Sequence, residues 1–288
     1  MGEDALAFIL GHELAHFYSF HPLLAGSASA EPTTEQLAGR RSLEEDADRK
    51  GLLRVHLTGY RGAAVAPAAI DALYGLYNLR SNLEGYATRD ARVSATGNVA
   101  KKVGPLLPLY PQSMSLLAGR HYAEAALVLE YLGDNFRSPD LVYNAALIQA
   151  MLGLSKTPSA VPYAETYPFI LSSANHLASS LRGSRGGDAD PQPHLKKAAT
   201  VLERFLEVTP RDPALRVNLA LIYDLLGRQK EGLELLGQGV DDTPETLPYR
   251  VKAQAILWRH AGQIVRTRQS LAKAEALQSP SLGSILSQ

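Results

Sequence analysis

Residues 11–21 read "GHELAHFYSFH". His12 and His16 are four apart, so on a helix their rings leave the same face. Two imidazoles at that spacing can reach one Zn2+ at about 2.0–2.1 Å. Glu13 follows His12 and lies about 100° further round the helix, where it faces a metal-bound water rather than the metal. Zinc brings the pKa of such a water near 7, and a neighbouring carboxylate can take its proton. The pattern offers metal-assisted hydrolysis with Glu13 as general base. Matches of this length also arise by chance in ordinary helices, so the rest of the site must come from elsewhere in the chain.

The flanks of the motif, "AFILG" and "FYSF", carry no charge. That suits an active-site helix set among apolar partners. A second stretch, "LEEDADRKG", puts Glu44 and Asp48 at i and i+4, again on one helical face. Glu44 would complete a His2Glu set and leave the fourth position to water. Asp48 would accept the free ring N–H of a ligating histidine and fix its tautomer. Taken alone, 44–49 reads more readily as a solvated acidic turn; together with HELAH the metal reading prevails. The chain has no cysteine, so a metal site here must use imidazoles and carboxylates. His56, His121, His176, His194 and His260 lack ligand-like spacing and read as structural or surface residues. His21, five residues beyond His16, turns off the His12–His16 face and reads as a helix-end or supporting residue.

The elements that must position these residues follow from periodicity. A helix is expected over 3–20, with Glu3 and Asp4 in its first turn and Pro22 ending it. Leu6, Ile9, Leu10, Leu14 and Phe17 recur along it at helical spacing. A small-residue loop leads to a second helix over 35–57. A break at "TGYRG" precedes a third over 66–84. "VGPLLPLYP" at 103–111 holds three prolines and marks the expected boundary, with domains over 1–104 and 105–288.

Beyond that boundary Ala-rich helical blocks alternate with Gly-containing turns. Gly119 to Gly153 is 34 residues, Gly227 to Gly262 is 35, and Gly153 to Gly227 is 74, near two periods. A period near 34 with small residues where helices cross is the tetratricopeptide pattern, and a generic array of helical hairpins is the alternative. Stacked antiparallel helix pairs are expected over about 112–278, with a loop insertion at 183–193. The fold class is mainly α.

Lys plus Arg and Asp plus Glu both number 29 in the 288 residues, which argues against nucleic acid as a partner. No apolar run has the length of a membrane span, and no signal peptide precedes the motif. Membrane association is neither indicated nor excluded by these features.

HELAH followed by the E-x-x-x-D helix, ending "ADRKG", resembles the M48 metallopeptidases. The resemblance implies a zincin-type helical core ahead of a tetratricopeptide-like array, and a zinc endopeptidase of the bacterial periplasm or cell envelope engaged in protein quality control. Zn2+ would be held by His12, His16 and Glu44. Glu13 would be the general base and Asp48 the supporting carboxylate. In "GYATRDARVS" Arg92 fits the family pattern, while Tyr86 stands where members often carry a histidine that contacts the reacting carbonyl; a tyrosine can donate there too. Only eleven residues precede His12, where relatives have a strand along the cleft, so that N-terminal part is expected to be missing. Substrates would be proteins or peptides, with protein partners on the repeats. The competing expectation is a catalytically inactive, protein-binding scaffold.

Overall fold

The computed structural model describes residues 2–19, 34–76, 87–156, 167–171, 190–238 and 243–277. It is mainly α. The helices are α1 (Glu3–Tyr18), α2 (Thr34–Leu57), α3 (Gly62–Leu76), α4 (Arg89–Val103), α5 (Leu109–Ala118), α6 (Tyr122–Phe136), α7 (Pro139–Lys156), α8 (Gln192–Val208), α9 (Pro213–Leu225), α10 (Gln229–Gly237), α11 (Leu247–His260) and α12 (Ile264–Ala276). A short 3-10 turn, Gly104–Leu106, follows α4. The chain divides into two compact units, one of Met1–Gln112 with Glu130–Pro139 and one of Ser113–Leu129 with Asp140–Gln288. No helix of the described residues is long and apolar enough to cross a membrane.

In the first unit α1 packs on α2 and α3, and α4 packs on α2 and α3. The α1–α2 crossing is made by glycines. A Cβ on Gly51 would lie 2.9 Å from the His12 backbone nitrogen and 3.0 Å from the Gly11 carbonyl carbon. A Cβ on Gly11 would meet the Val55 side chain at 2.6 Å. The two backbones therefore touch, and His12 is pressed against the face of α2 that carries Glu44 and Asp48. At the start of α1, Asp4 accepts a hydrogen bond from the Arg61 backbone N–H at 2.9 Å. At its end, Lys50 donates to Ser19 Oγ at 2.9 Å while pairing with Asp46 at 2.7 Å.

Three features here go beyond or against the sequence expectations. The buried face of α1 is Phe8, Gly11, His12 and Ala15. Leu6, Leu10, Leu14 and Phe17 instead face outward, with Phe17 73% exposed. The apolar stripe exists, but the glycine crossing lies on another side and turns it away from α2. Helix α3 begins at Gly62 rather than 66, so Pro67 sits inside it; a Cβ at Gly62 would lie 2.9 Å from the Val55 side chain, so the helix starts where its small size is needed. Helix α4 had no counterpart in the sequence reading, although Thr88 caps it by accepting from the Ala91 N–H at 3.3 Å. The expected residues 77–84 of the third helix lie outside the described residues.

In the second unit, α9 packs on α8, α10 and α11, and α11 on α10 and α12. Gly227 and Gly262 take left-handed conformations, φ +78° and +72°, in the turns between α9 and α10 and between α11 and α12. In the turn after α5 it is Arg120, not Gly119, that takes positive φ, at 63°. Gly153 is not a turn residue. It lies within α7, where a Cβ would come 2.7 Å from the Leu195 side chain, so its small size serves the approach of α7 to α8. Between these helices the described chain is interrupted at 157–166 and 172–189. Most of the insertion expected at 183–193 lies outside the described residues, and from Gln192 the chain is already helical.

Gly51→Ala tests the crossing. The added methyl has only backbone to push against, so α1 and α2 must separate. Overpacking of this kind costs about 1–3 kcal/mol. Denaturant unfolding should show that loss, whereas Gly39→Ala, on open surface, should not; equal midpoints for the two variants would refute the tight crossing.

Candidate metal centre

His12 and His16 project from α1 toward α2. Their Nε2 atoms are 3.1 Å apart, and the rings meet edge to face with centroids at 4.7 Å. Glu44 faces both: Oε2 lies 3.3 Å from His12 Nε2, and Oε1 lies 3.5 Å from His16 Nε2. One donor atom from each of the three falls within 4.8 Å of the others. Two ligands about 2.0–2.1 Å from one tetrahedral Zn2+ lie roughly 3.3–3.4 Å apart. The three separations bracket that value. Two facing imidazole nitrogens also repel unless a proton or a cation lies between them. By spacing and by donor type, the residues fit a zinc ion.

Behind the triad stands Asp48, fully shielded from solvent. Its Oδ1 is 2.9 Å from His12 Nδ1, close but off the line of the ring N–H. From α4, Arg92 donates through both terminal nitrogens, to Oδ2 at 2.7 Å and Oδ1 at 2.8 Å. Thr96 donates its hydroxyl to Oδ2 at 2.9 Å and itself accepts from Arg92. Arg92 also reaches Glu44 Oε2 at 3.2 Å. The row Arg92–Asp48–His12 thus holds one imidazole by its far nitrogen and leaves Nε2 turned toward Glu44 and His16.

The charges are strongly coupled. Burial disfavours charged His12, but the carboxylates of Asp48 and Glu44 outweigh it and lift its pKa from 6.5 to about 9. Burial also works against ionised Asp48, yet Arg92 and His12 hold its pKa down at about 2. Glu44 is likewise held below its ordinary value, its burial offset by His12 and Arg92. The contacts of Asp48 and Glu44 with His12 and Arg92 therefore persist as ion pairs at neutral pH in the metal-free protein.

Glu13 is exposed on α1, one residue past His12. Tyr86 and His21 lie outside the described residues, as does His176. Sequence reasoning missed Thr96; a threonine inside a helix gives no local sign of a partner on another helix. Of the remaining histidines, His194 Nδ1 meets Gln149 at 3.0 Å and His260 Nδ1 meets buried Asp224 at 2.7 Å. No protein-family model matches the chain, and no curated protein or solved structure matches it.

The shifted groups set a pH dependence for the metal-free protein. His12 has a folded pKa above its unfolded value, so its contribution is complete below about pH 6.5 and is lost as pH rises through about 9. Asp48 has a folded pKa below its unfolded 3.8, so its contribution is present above that value and is lost as pH falls through about 2. Metal-free protein should lose on the order of 2–3 kcal/mol between pH 6 and pH 10 through His12. Denaturation midpoints across that range check it, and a His12→Gln variant should show a flatter alkaline limb.

Proposed function

We propose that the chain is a zinc-dependent metalloendopeptidase of the M48 type, with tetratricopeptide-like repeats that hold substrate or partner. The observation that carries this reading is the convergence of His12, His16 and Glu44 from two helices at zinc-ligand separations. Bound zinc would supply Lewis acidity toward water and toward a peptide carbonyl. His12 and His16 would bind through Nε2 and Glu44 through a carboxylate oxygen. Asp48 would hold His12 Nδ1 and so keep Nε2 free of its proton. Arg92 and Thr96 would keep Asp48 ionised and in place. Glu13 is the carboxylate within the motif itself and is exposed on α1. It would take the proton of the attacking water and pass it to the departing amine. Proton transfer of this kind is worth roughly 10²–10⁴-fold in rate.

A cell-envelope location and a role in protein quality control follow only from the resemblance and belong to the same proposal. The contact of Arg92 with Glu44 favours the second reading, a non-catalytic binding protein, because a guanidinium there competes with a cation for the third ligand.

Two substitutions separate the readings. His16→Ala should abolish stoichiometric zinc, measured by atomic emission on purified protein. Glu13→Gln should bind zinc and fold as wild type but lose at least about 100-fold in hydrolysis of an unfolded protein substrate. Equal cleavage by Glu13→Gln removes Glu13 as base. Zinc uptake by wild type without any cleavage selects the binding protein.

A further inference from the structure

A non-helical stretch, Tyr167–Leu171 ("YPFIL"), lies in the second unit between α7 and α8 in the chain. Tyr167, Pro168, Phe169 and Leu171 are all buried, Phe169 completely. The Tyr167 and Phe169 rings stack with centroids at 6.2 Å. Its backbone is held by a side chain. The Ile170 N–H donates to Asn218 Oδ1 at 2.8 Å, and Asn218 Nδ2 donates back to the Ile170 carbonyl at 2.7 Å. The same Nδ2 also donates to the Tyr143 hydroxyl, which fixes the amide's orientation from α7. Tyr143 is itself packed edge to face on Phe205 of α8, centroids 5.8 Å apart. At the other end, the Tyr167 hydroxyl donates to Asp224 Oδ2 at 2.7 Å, where His260 Nδ1 also meets it. Asp224 Oδ1 is buried beside them with no hydrogen-bond partner.

Helix α9 is consequently buried nearly all round, Asn218 and Asp224 included. Filling space beneath a loop needs only apolar side chains, and burying an amide and a carboxylate is unfavourable unless they are used. Here the amide pairs with both backbone groups of one residue, as a neighbouring β-strand would, and so reads a peptide chain without reading its sequence. The specificity elements are the apolar seats of Tyr167, Phe169 and Leu171 and the Asp224 acceptor for a phenol.

We propose that this surface of the second unit is a peptide-binding groove and that Tyr167–Leu171 is its internal, displaceable occupant. The ligand is a non-helical apolar segment of another protein, with an aromatic residue bearing a hydroxyl, a second aromatic two residues on and an aliphatic two further. The proposal rests on reading the repeats as a partner surface, and it is independent of zinc and of hydrolysis. Because the occupant belongs to the same chain it competes intramolecularly, at an effective concentration on the order of millimolar. Occupancy therefore keeps weak ligands out.

The test uses the full chain with EDTA present, so that loss of peptidase activity cannot imitate loss of binding. The probe is a fluorescein-labelled peptide, ETYPFILSS, followed by anisotropy. A Tyr167→Ser/Phe169→Ser double variant should bind it at least tenfold more tightly than wild type, and adding Asn218→Ala should remove the gain. In wild type, millimolar unlabelled peptide should speed hydrogen exchange at the Ile170 amide while α9 stays protected. Equal affinity of wild type and double variant overturns the proposal. If the double variant does not fold, the exchange measurement decides alone: acceleration at Ile170 supports displacement, and an unchanged rate overturns it.

Discussion

Asp48 is fully shielded at the meeting of α1, α2 and α4, and an uncompensated carboxylate in such a place costs several kcal/mol. The first unit is arranged around that cost. Arg92 answers with two parallel N–H donors, Thr96 with a hydroxyl, and His12 with a ring nitrogen. A bidentate guanidinium fixes orientation as well as distance. Together these contacts fix how α1 and α4 sit on α2. Glu44, one turn before Asp48, then faces the two imidazoles with no further requirement. Replacing a buried ion network of this sort by apolar residues is often neutral or stabilising. Its presence is therefore better explained by what it positions than by the stability it confers.

The glycine crossing supplies what the charges cannot. The 2.9 Å approach of His12 Nδ1 to Asp48 Oδ1 demands that α1 and α2 come unusually close. Only a pair of residues without side chains allows backbone contact at that point, and Gly11 and Gly51 stand there. Steric permission and electrostatic demand meet within one turn of each helix. Either alone would leave the donors too far apart to share an ion.

Much of the triad was legible because local spacing and helical geometry are tightly linked. Pairs at i and i+4 share a face whether or not the partner helix is known, so His12 with His16 and Glu44 with Asp48 could be read directly. What periodicity does not contain is which face meets which neighbour. Leu6, Leu10, Leu14 and Phe17 form a true stripe, yet it points outward because the crossing is set by glycines on another side. Gly153 shows the same limit in the repeats. It keeps the interval expected of a turn glycine, but α7 runs on through it and uses its small size against Leu195. Arg92 was recognisable only by resemblance, and Thr96 not at all, because their partner lies on another helix more than forty residues away in sequence. "YPFIL" likewise reads as five apolar residues in an irregular stretch until Asn218 is placed beside it.

The compensation around Asp48 in the first unit differs from that around Asn218 in the second, and the difference bears on what each site can bind. Around Asp48 the compensation is ionic, with full charges of both signs at short range. Such a cluster suits a cation, because the proton on His12 and the guanidinium near Glu44 are the charges a metal would replace or adjoin. Around Asn218 the compensation is a neutral amide and a phenol hydroxyl. An amide is indifferent to net charge and pH but sensitive to the presence of a peptide backbone, whose donor and acceptor it matches together. The first arrangement suits polarising a bond, and the second suits holding a chain. A protein proposed to cut polypeptides has use for both, and the separation of the two chemistries allows binding in one unit to be measured with the metal stripped from the other.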